Sequence, residues 1–314
     1  MDFPVPSASP LPVALIHVAN ADSESGPALQ PVWRRSNQEL NTTLTPSTVV
    51  ISAHVRLILS FVFATWPLLS QVAPPNDAGV AMGHLHIVSS DPEAHRRLWV
   101  DVLGGKVAKT GSQEWAVFPG VFVGITKGQP SGGTSGTVIS HLGFIVPNLA
   151  AVRAKLVAAG VENVRDLPAT NQFFATFPDA VQVEFSEDTT LPLPIAHHHV
   201  HFSSHQVEEM RAWYAKVFGA VPGMRGRFRA ADIPGANLSW SSSNEPRLPT
   251  AGRSVDHIGF EVKDIESFCE RLKAQGIKLD GEVTTVPRSG LHTASVTDPW
   301  GTRIELTEGL AQAR

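Results

Sequence analysis

The sequence predicts an α+β protein made of four copies of one unit, in which a strand and a helix precede about three further strands. Two independent markers indicate this repeat. Histidines begin short apolar strands at positions 84, 141, 199 and 257, with spacings of 57, 58 and 58 residues. Glycines that end the following helices stand at positions 104, 160, 219 and 276, spaced by 56, 59 and 57 residues. Because both markers give one period, a repeated supersecondary unit covers about residues 83–309.

The predicted helices are amphipathic and have recognisable ends. In the second unit, Leu149, Val152 and Leu156 recur at the i, i+3, i+7 spacing of one helical face. Residues that cap helix N-termini precede three of the four helices, namely Asp91, Asn148 and Asp264. The glycine after each helix can adopt the left-handed conformation that ends a helix.

The segment that follows each helix has the character of several short strands. Residues 114–126 and 292–308, for example, can each hold strands joined by a turn that contains proline and glycine. One such unit cannot bury its own sheet, so the units should pair. The second and fourth units end alike, in FPDAVQVEF (177–185) and DPWGTRIEL (298–306), whereas the first and third do not. We therefore predict two domains of two adjacent units each, residues 82–190 and 195–310.

The N-terminal residues differ from this repeat. Residues 1–48 are rich in Pro, Ser, Thr and Asn without a period, which is typical of a disordered or misassigned extension. Residues 57–70 form an apolar run that suits the hydrophobic region of a signal peptide. We expect residues 49–81 to be a signal peptide and linker, so that the mature protein is exported to a periplasmic or secreted location and has no stable membrane span. Without cleavage the protein would be cytoplasmic.

Composition excludes several function classes. The 314 residues are 42% hydrophobic and 17% charged with a net charge of -4, and no Lys/Arg-rich run indicates nucleic-acid binding. The single cysteine excludes an internal disulfide and a cysteine-based zinc site. A small-molecule substrate is the expected partner, and a homodimer is compatible with the repeat.

The motifs of the repeat resemble those of a known family. The His-led strands, the WYAKVFG helix ending (213–219) and the DPWGTRIEL finish are similar to the vicinal oxygen chelate superfamily, which includes glyoxalases, bleomycin-resistance proteins and extradiol dioxygenases. The resemblance covers about residues 83–309 and implies two glyoxalase-like domains with curled mixed sheets and helices on the outer face. Four units in one chain are similar to the arrangement of type I extradiol dioxygenases.

The resemblance also implies a metal held by two histidines and one glutamate in a domain. In the second domain these residues are His199, His257 and Glu305. In the first domain, as a second site, they are His84, His141 and Glu184. Strand alternation agrees, because Ile304 and Leu306 share one face of the last strand and leave Glu305 on the other. Such a ligand set suits Fe(II), Mn(II), Zn(II), Ni(II) or Co(II).

Additional histidines are candidate acid/base groups. His201 follows His199 by two residues and should face the same cavity, as His86 does after His84. His292 precedes the last hairpin, from which it could reach the site. Arg303 is a candidate carboxylate ligand.

The reaction is less well defined than the site. A metal of this kind would activate a substrate that chelates it through neighbouring oxygens. Extradiol enzymes have a Tyr before the last turn, where this chain has Ser295, and their additional catalytic His is absent from residues 241–246. The fourth metal ligand of glyoxalase I-type sites is also missing, since Gly124 and Asn237 occupy the comparable strands.

Three functions are therefore compatible with the sequence. The first is a metal-dependent oxygenase, lyase or isomerase. The second is a metal-free binding protein similar to bleomycin-resistance proteins, with a pocket lined by Trp115, Trp240 and Trp300. The third is an exported protein that only binds metal.

Overall fold

The computed structural model of the protein describes residues 72–313. The predicted extension, residues 1–48, and all but the last residues of the predicted signal peptide and linker lie outside this range. No helix within residues 72–313 is long and apolar enough to cross a membrane.

Each of the four units contains the predicted strand, helix and three strands. Unit 1 comprises β1 (Val80–Ser89), α1 (Pro92–Arg96, continued by a π-helix over Arg97–Val102), β2 (Lys106–Thr110), β3 (Gln113–Phe118) and β4 (Val121–Lys127). Unit 2 comprises β5 (Ile139–Val146), α2 (Leu149–Ala158), β6 (Val164–Leu167), β7 (Gln172–Phe177) and β8 (Val181–Glu187), with 3₁₀ turns at Pro168–Thr170 and Pro178–Ala180.

The second half repeats this order. Unit 3 comprises β9 (Ala196–Ser204), α3 (Val207–Phe218), β10 (Val221–Arg225), β11 (Phe228–Ile233) and β12 (Ala236–Ser242). Unit 4 comprises β13 (Val255–Val262), α4 (Ile265–Ala274), β14 (Thr284–Thr285), β15 (His292–Thr297), β16 (Arg303–Glu308) and a 3₁₀ turn at Leu310–Gln312. The predicted α+β fold is confirmed.

The helix ends are those that the sequence predicts. The side chains of Asp91, Asn148 and Asp264 each accept a hydrogen bond from a backbone N–H of the first helical turn, at 3.1, 2.9 and 2.9 Å. The glycines at 104, 160, 219 and 276 have φ angles between 66° and 91°, which residues with a side chain rarely adopt.

The units pair in a different way from the one predicted. One eight-stranded sheet has the order β14-β15-β16-β13-β1-β4-β3-β2 and so joins unit 1 to unit 4. The other has the order β10-β11-β12-β9-β5-β8-β7-β6 and joins unit 2 to unit 3. The prediction that residues 82–190 and 195–310 each form a sheet of their own is therefore wrong. The physical reason is that any first or third unit offers the same strand edge to any second or fourth unit, so the repeat does not fix the partner.

The two linkers that cross between the sheets run side by side. Residues 128–138 lead from unit 1 to unit 2, and residues 243–254 lead from unit 3 to unit 4. A parallel bridge joins Thr137 to Leu248, and the backbone N–H of Leu248 donates to the carbonyl of Gly136 at 3.0 Å. Ser254 N–H donates to the Gly132 carbonyl at 2.9 Å. These contacts hold the two linkers together. Because each linker leads from one sheet to the other, both sheets are completed within one chain.

The apolar faces of the sheets meet in a common core. Trp99, in the helical segment of unit 1, lies 5.3 Å from the ring of Phe144 and 5.0 Å from that of Phe177 in unit 2. Phe218 of unit 3 lies 4.7 Å from Phe260 of unit 4. Neighbouring units in the chain thus pack through their helix-bearing faces, and the opposite face of each sheet is left for polar side chains.

The fold begins before the predicted boundary at residue 82. Val72 is buried, and β1 already includes Val80 and Ala81. The Asn76 amide donates to the Phe218 carbonyl at 2.9 Å, which anchors the segment that was expected to be an exposed linker.

Candidate functional site

The six predicted metal ligands form two clusters, one on the polar face of each sheet. Cluster 1 consists of His84, His86, His257 and Glu305. Cluster 2 consists of His141, His199, His201 and Glu184. The predicted groupings, His199 with His257 and Glu305, and His84 with His141 and Glu184, are wrong because they assumed that adjacent units share a sheet. The residue types are those predicted, and each cluster takes them from two units.

Strand pairing places one histidine ring of each cluster over a glycine. In cluster 1, His84 lies opposite Gly259, which in turn is paired with Glu305 on β16. A Cβ atom at Gly259 would be 1.9 Å from the His84 ring, so the ring occupies the space that a side chain would need. Gly143 and His199 have the same relation in cluster 2, at 2.0 Å. The glycine of the His-x-Gly-Phe motif is thus required by the histidine of the neighbouring strand.

A β-bulge directly precedes every one of the four predicted histidine ligands. The strand registers skip one residue before His84 and His257 in one sheet, and one before His141 and His199 in the other. The skipped residues are Gly83, Ser140, His198 and Asp256. A bulge lets the extra residue turn toward the side of its neighbour, which regular alternation would prevent.

The bulged residue sets the environment of the next imidazole. Asp256 lies 2.7 Å from Nδ1 of His257, whereas Ser140 lies 2.8 Å from Nδ1 of His141. Gly83 supplies no such partner, and Nδ1 of His84 is buried without a hydrogen bond among the described residues. The four histidines are consequently inequivalent.

Cluster 1 brings two imidazoles to one carboxylate oxygen. Nε2 of His84 and Nε2 of His257 lie 3.1 and 3.7 Å from Oε2 of Glu305. The two rings are perpendicular, with centroids 5.4 Å apart. Neither Nε2 atom makes a well-directed hydrogen bond within residues 72–313, although both are buried. Burying a polar atom without a hydrogen-bond partner destabilises the fold. A cation bound by both Nε2 lone pairs and by the Glu305 carboxylate would give these atoms a partner.

Charges in cluster 1 are unevenly distributed. Burial lowers the pKa of His84, and burial together with the neighbouring His257 lowers the pKa of His86 to about 3. Burial opposes protonation of His257 too, but its hydrogen bond with Asp256 and the nearby charge of Glu305 outweigh it and raise the pKa of His257. Burial would raise the pKa of Glu305, yet its contacts with His257 and His84 hold that pKa far below the usual range. Glu305 is therefore a carboxylate at neutral pH.

Further residues fix the rings of cluster 1. The carboxylate of Asp256 also accepts a hydrogen bond from Arg303 at 2.9 Å, and its pKa is lowered to about 2 because these contacts outweigh its burial. His86 stacks on His257 with centroids 4.4 Å apart, and its Nε2 contacts Thr126 Oγ1 at 2.8 Å. This arrangement limits the rotation of the His257 ring on both sides.

Cluster 2 has the same backbone but different neighbours. Nε2 of His141 lies 3.1 Å from Glu184 Oε2, and His199 lies perpendicular to His141 at 5.3 Å. His201, a predicted acid/base residue, stacks on His141 at 4.4 Å and contacts Ser241 at 2.6 Å. Cluster 2 additionally contains the guanidinium of an arginine, which cluster 1 does not have.

That arginine, Arg225, occupies the space between the cluster 2 ligands. Its Nη2 lies 2.8 Å from His199 Nε2 and 3.1 Å from Glu184 Oε1. Glu184 Oε1 also accepts hydrogen bonds from Gln172 at 2.8 Å and Ser186 at 3.1 Å. Burial opposes ionisation of Glu184, but His141, Arg225 and Ser186 together lower its pKa to about 2. The carboxylate of cluster 2 is thus largely satisfied by protein donors.

The other predicted residues do not join a cluster. His292 lies opposite Glu308 on β16, on the face away from Glu305, and its Nδ1 contacts Thr285 at 3.0 Å. The proposed role of His292 at the site is therefore not supported by its position. Trp240 is buried against Phe202, whereas Trp300 donates to Gln206. The aromatic pocket expected of a metal-free binding protein does not form from the predicted tryptophans, since only Trp115 borders cluster 1.

The sequence patterns did not indicate that Asp256 and Arg225 belong to the site. Asp256 directly precedes a ligand, and alternation assigns adjacent residues to opposite faces; only the bulge reverses this. Arg225 lies at the end of a hairpin strand, where an arginine is usually exposed, and no sequence motif marks it. The Asp-His dipeptide was the one signal that could have indicated a carboxylate partner for His257.

Both clusters have residues suited to a metal. Ligand atoms of His84, His86 and His257 lie within 4.8 Å of one another, as do those of His141, His199 and His201. Cluster 1 fits a divalent cation better, because its two Nε2 atoms lack partners and 25% of the Glu305 side chain is exposed, against 7% for Glu184. A set of two imidazoles and one carboxylate leaves coordination positions open for substrate.

Comparisons with known proteins agree with this fold. The family model described as the Glyoxalase/Bleomycin resistance protein/Dioxygenase superfamily matches residues 195–306. Glyoxalase I from Zea mays is similar in structure, with 14% identity, coverage of 74% of this chain and 94% of that chain, and a TM-score of 0.57. A candidate dioxygenase from Bacillus subtilis subsp. subtilis strain 168 has 14% identity, coverage of 73% and 85%, and a TM-score of 0.57.

No curated protein matches the sequence. The similarity to the two solved structures concerns the fold, whereas the family match concerns the sequence of units 3 and 4. Units 3 and 4 therefore resemble this superfamily in sequence, and the described chain shares the fold of the two solved structures.

Proposed function

We propose that the protein is a metal-dependent enzyme that acts at cluster 1 on a small molecule with two neighbouring oxygen atoms. His84, His257 and Glu305 would hold the metal. The observation that carries this proposal is the convergence of two perpendicular, unpartnered imidazole nitrogens on one ionised carboxylate. The expected metals remain Fe(II), Mn(II), Zn(II), Ni(II) and Co(II), because all accept mixed nitrogen and oxygen ligands.

The protein's own residues prepare this site. Asp256 accepts a hydrogen bond from Nδ1–H of His257, and in this tautomer the Nε2 lone pair is free to bind a metal. Arg303 holds Asp256 in place, and His86 stacks on the same ring from the side. The indole of Trp115 packs against His84 at 5.3 Å and keeps water from that flank. When bound, the metal would act as a Lewis acid toward a chelating substrate.

Oxygenase, lyase and isomerase chemistries all fit this ligand set. The superfamily relatives include a glyoxalase I and a candidate dioxygenase, which supports an enzymatic function without deciding between the reactions. Since neither the tyrosine of extradiol enzymes nor a fourth carboxylate ligand is present at cluster 1, we do not assign either of those mechanisms.

Metal analysis of protein purified without a histidine tag tests the proposal. We expect elemental analysis to find metal in the wild-type protein, and little in Glu305→Ala. Glu184→Ala, which removes the equivalent carboxylate of cluster 2, is the matched control and should keep the metal. A protein that contains no metal and cannot be reloaded with Fe, Mn, Ni, Co or Zn would refute the proposal and favour a binding protein.

We also propose that the mature protein is exported. The support is the apolar run at 57–70 followed by small residues and prolines, which lies almost entirely outside the described residues. N-terminal sequencing of the protein from its natural source should find a chain that begins between residues 71 and 74, after Ser70 or Ala73. A cytoplasmic chain that begins at residue 1 would refute export.

A further inference from the structure

The two clusters differ at one pair of structurally equivalent positions. Arg225 follows the helix-ending Gly219 by six residues, and Thr110 follows Gly104 by the same number. Both lie at the last position of the second strand of their unit. In cluster 1, the uncharged Thr110 hydroxyl accepts a hydrogen bond from the Trp115 indole at 2.8 Å, so this position contributes no cation to the cluster.

The clusters also differ at a second pair of equivalent positions, where the larger side chain is in cluster 1. Trp115 pairs with Ala108 across its hairpin, and the buried Ala230 pairs with Gly223 at the equivalent place in unit 3. A large aromatic side chain therefore fills the flank of cluster 1, whereas the small Ala230 leaves that flank of cluster 2 to the arginine. Because arginine and alanine stand where cluster 1 has threonine and tryptophan, cluster 2 contains a cation of its own, which is paired with Glu184.

Cluster 2 has the residue types of a metal site, but Arg225 opposes the binding of a divalent cation there. Its guanidinium is always protonated and lies within 3.1 Å of ligand atoms from both His199 and Glu184. A metal bound to the same atoms would have to displace the guanidinium or share the space with a like charge, which strongly disfavours binding in a buried site. The arginine side chain is only 16% exposed, so water screens this repulsion poorly.

A cavity opens beside this cluster. Its volume is about 420 Å³, and His141, Ser140, Gln182 and Ser203 line it together with two arginines, Arg165 and Arg247. None of the lining residues is acidic. The cavity can hold a small molecule and offers only hydroxyl, amide, imidazole and guanidinium groups as polar contacts.

Both arginines are positioned by neighbours that are not carboxylates. The Arg165 guanidinium lies 4.9 Å from the centroid of the Phe174 ring, and Phe174 meets His141 edge-on at 4.8 Å. Arg247 donates from Nε to Ser203 Oγ at 2.9 Å, which leaves its two terminal nitrogens available. Neither arginine has an ion-pair partner within residues 72–313, so their charges are not neutralised there.

We propose that cluster 2 is not a second metal site, and that its adjoining cavity binds a small oxyanion, either a carboxylate or a phosphate group, through Arg165 and Arg247. The planar guanidinium fork matches the geometry of both groups. Arg225 supports this function because it pairs with Glu184 and removes the one carboxylate that would otherwise repel an anion near His141.

The metal half of the proposal is tested by stoichiometry. Wild-type protein should bind one equivalent of Co(II) or Zn(II), and Arg225→Thr, which introduces the residue of cluster 1, should bind a second. The second equivalent should be lost when Glu184→Ala is added to Arg225→Thr. Two equivalents in the wild-type protein, or no gain in Arg225→Thr, would overturn the assignment.

The anion half is tested by calorimetry with inorganic phosphate and with acetate, on wild-type protein and on Glu305→Ala, in which phosphate cannot bind a metal at cluster 1. We expect saturable binding of one of these anions in both proteins, and the preferred anion identifies the group recognised. Arg165→Gln and Arg247→Gln should each weaken it about tenfold. Arg288→Gln, remote from the cavity, removes the same charge and should change nothing. Binding that survives both cavity substitutions, or no binding of either anion, would overturn the proposal.

Discussion

Replacing Gly259 by alanine should abolish metal binding at cluster 1 without altering any of its ligands. The added Cβ would lie 1.9, 2.0 and 2.5 Å from three atoms of the His84 ring, whereas ordinary contacts begin at 3.4 Å. The ring would have to move by about 1.5 Å to restore a normal contact. Metal–nitrogen bonds tolerate deviations of only about 0.2 Å, so a displaced His84 cannot remain a ligand.

The loss of metal affinity expected for Gly259→Ala is larger than that caused by disturbing only the hydrogen-bond partners of a ligand. Substitutions that disturb only the partners of a ligand weaken metal binding by about 10- to 100-fold, and the removal of a ligand should cost at least that much. Metal affinity is measured by competition with a chromophoric chelator, and folding is checked by circular dichroism and thermal unfolding.

Gly143→Ala is the matched control for this substitution. Its Cβ would meet the His199 ring at 2.0 Å, so the steric conflict is the same but falls in cluster 2. We expect Gly143→Ala to keep the metal, with a loss of stability similar to that of Gly259→Ala. Unchanged metal affinity in Gly259→Ala would refute the role of His84, and equal losses in the two variants would indicate a general effect on folding.

Three other predictions concern the surroundings of the site and the core. Asp256→Asn removes the carboxylate that accepts the His257 Nδ1 proton and should weaken metal binding by about 10- to 100-fold in the same competition assay. Burial lowers the pKa of His95 from 6.5 to about 4, so the unfolded chain binds this proton first as the pH falls. Urea unfolding should therefore find a loss of about 2 kcal/mol between pH 7 and pH 5 that is absent in His95→Gln. Tyr214→Phe removes a buried hydrogen bond of 2.9 Å to Asp298 and should lower the free energy of unfolding by about 1–2 kcal/mol; no change would mean that this bond contributes nothing net.

The sequence predicts the unit of this fold far better than the assembly of its units. The caps at Asp91 and Asn148 and the four helix-ending glycines depend on local backbone chemistry, and the structure has each of them in place. The pairing of units depends on which strand edges meet. A His-x-His strand needs a His-x-Gly strand beside it, and this requirement is met equally by adjacent units and by the observed pairing of unit 1 with unit 4.

The sequence predicts which residues belong to the candidate sites, but not which of them lie together. Alternation along the strands correctly assigns Glu305 and His257 to the polar face, but which histidine completes the set follows from the pairing of the sheets. The contact of Asp256 with His257 requires a bulge, and a bulge is a property of two strands in register. Arg225 illustrates the same limit, because its effect on Glu184 depends on a distance between units 2 and 3.

The observed pairing has a consequence for the order in which the two clusters can form. Cluster 2 needs only units 2 and 3, and its residues lie between 141 and 201, whereas cluster 1 joins His84 to Glu305 across nearly the whole described chain. Closing the longer loop costs only about 1 kcal/mol more, so stability does not decide the difference. The order of synthesis distinguishes the two clusters. Cluster 1 cannot form until unit 4 has been synthesised, and it then joins unit 1 to unit 4. A metal that binds only this native arrangement stabilises the pairing of units 1 and 4 specifically, whereas Arg225 and Glu184 give cluster 2 an ion pair that needs no metal. The difference between the clusters thus matches their positions in the fold. The cluster that completes the structure is the one proposed to take a metal, and the one formed from neighbouring units carries its own cation, Arg225.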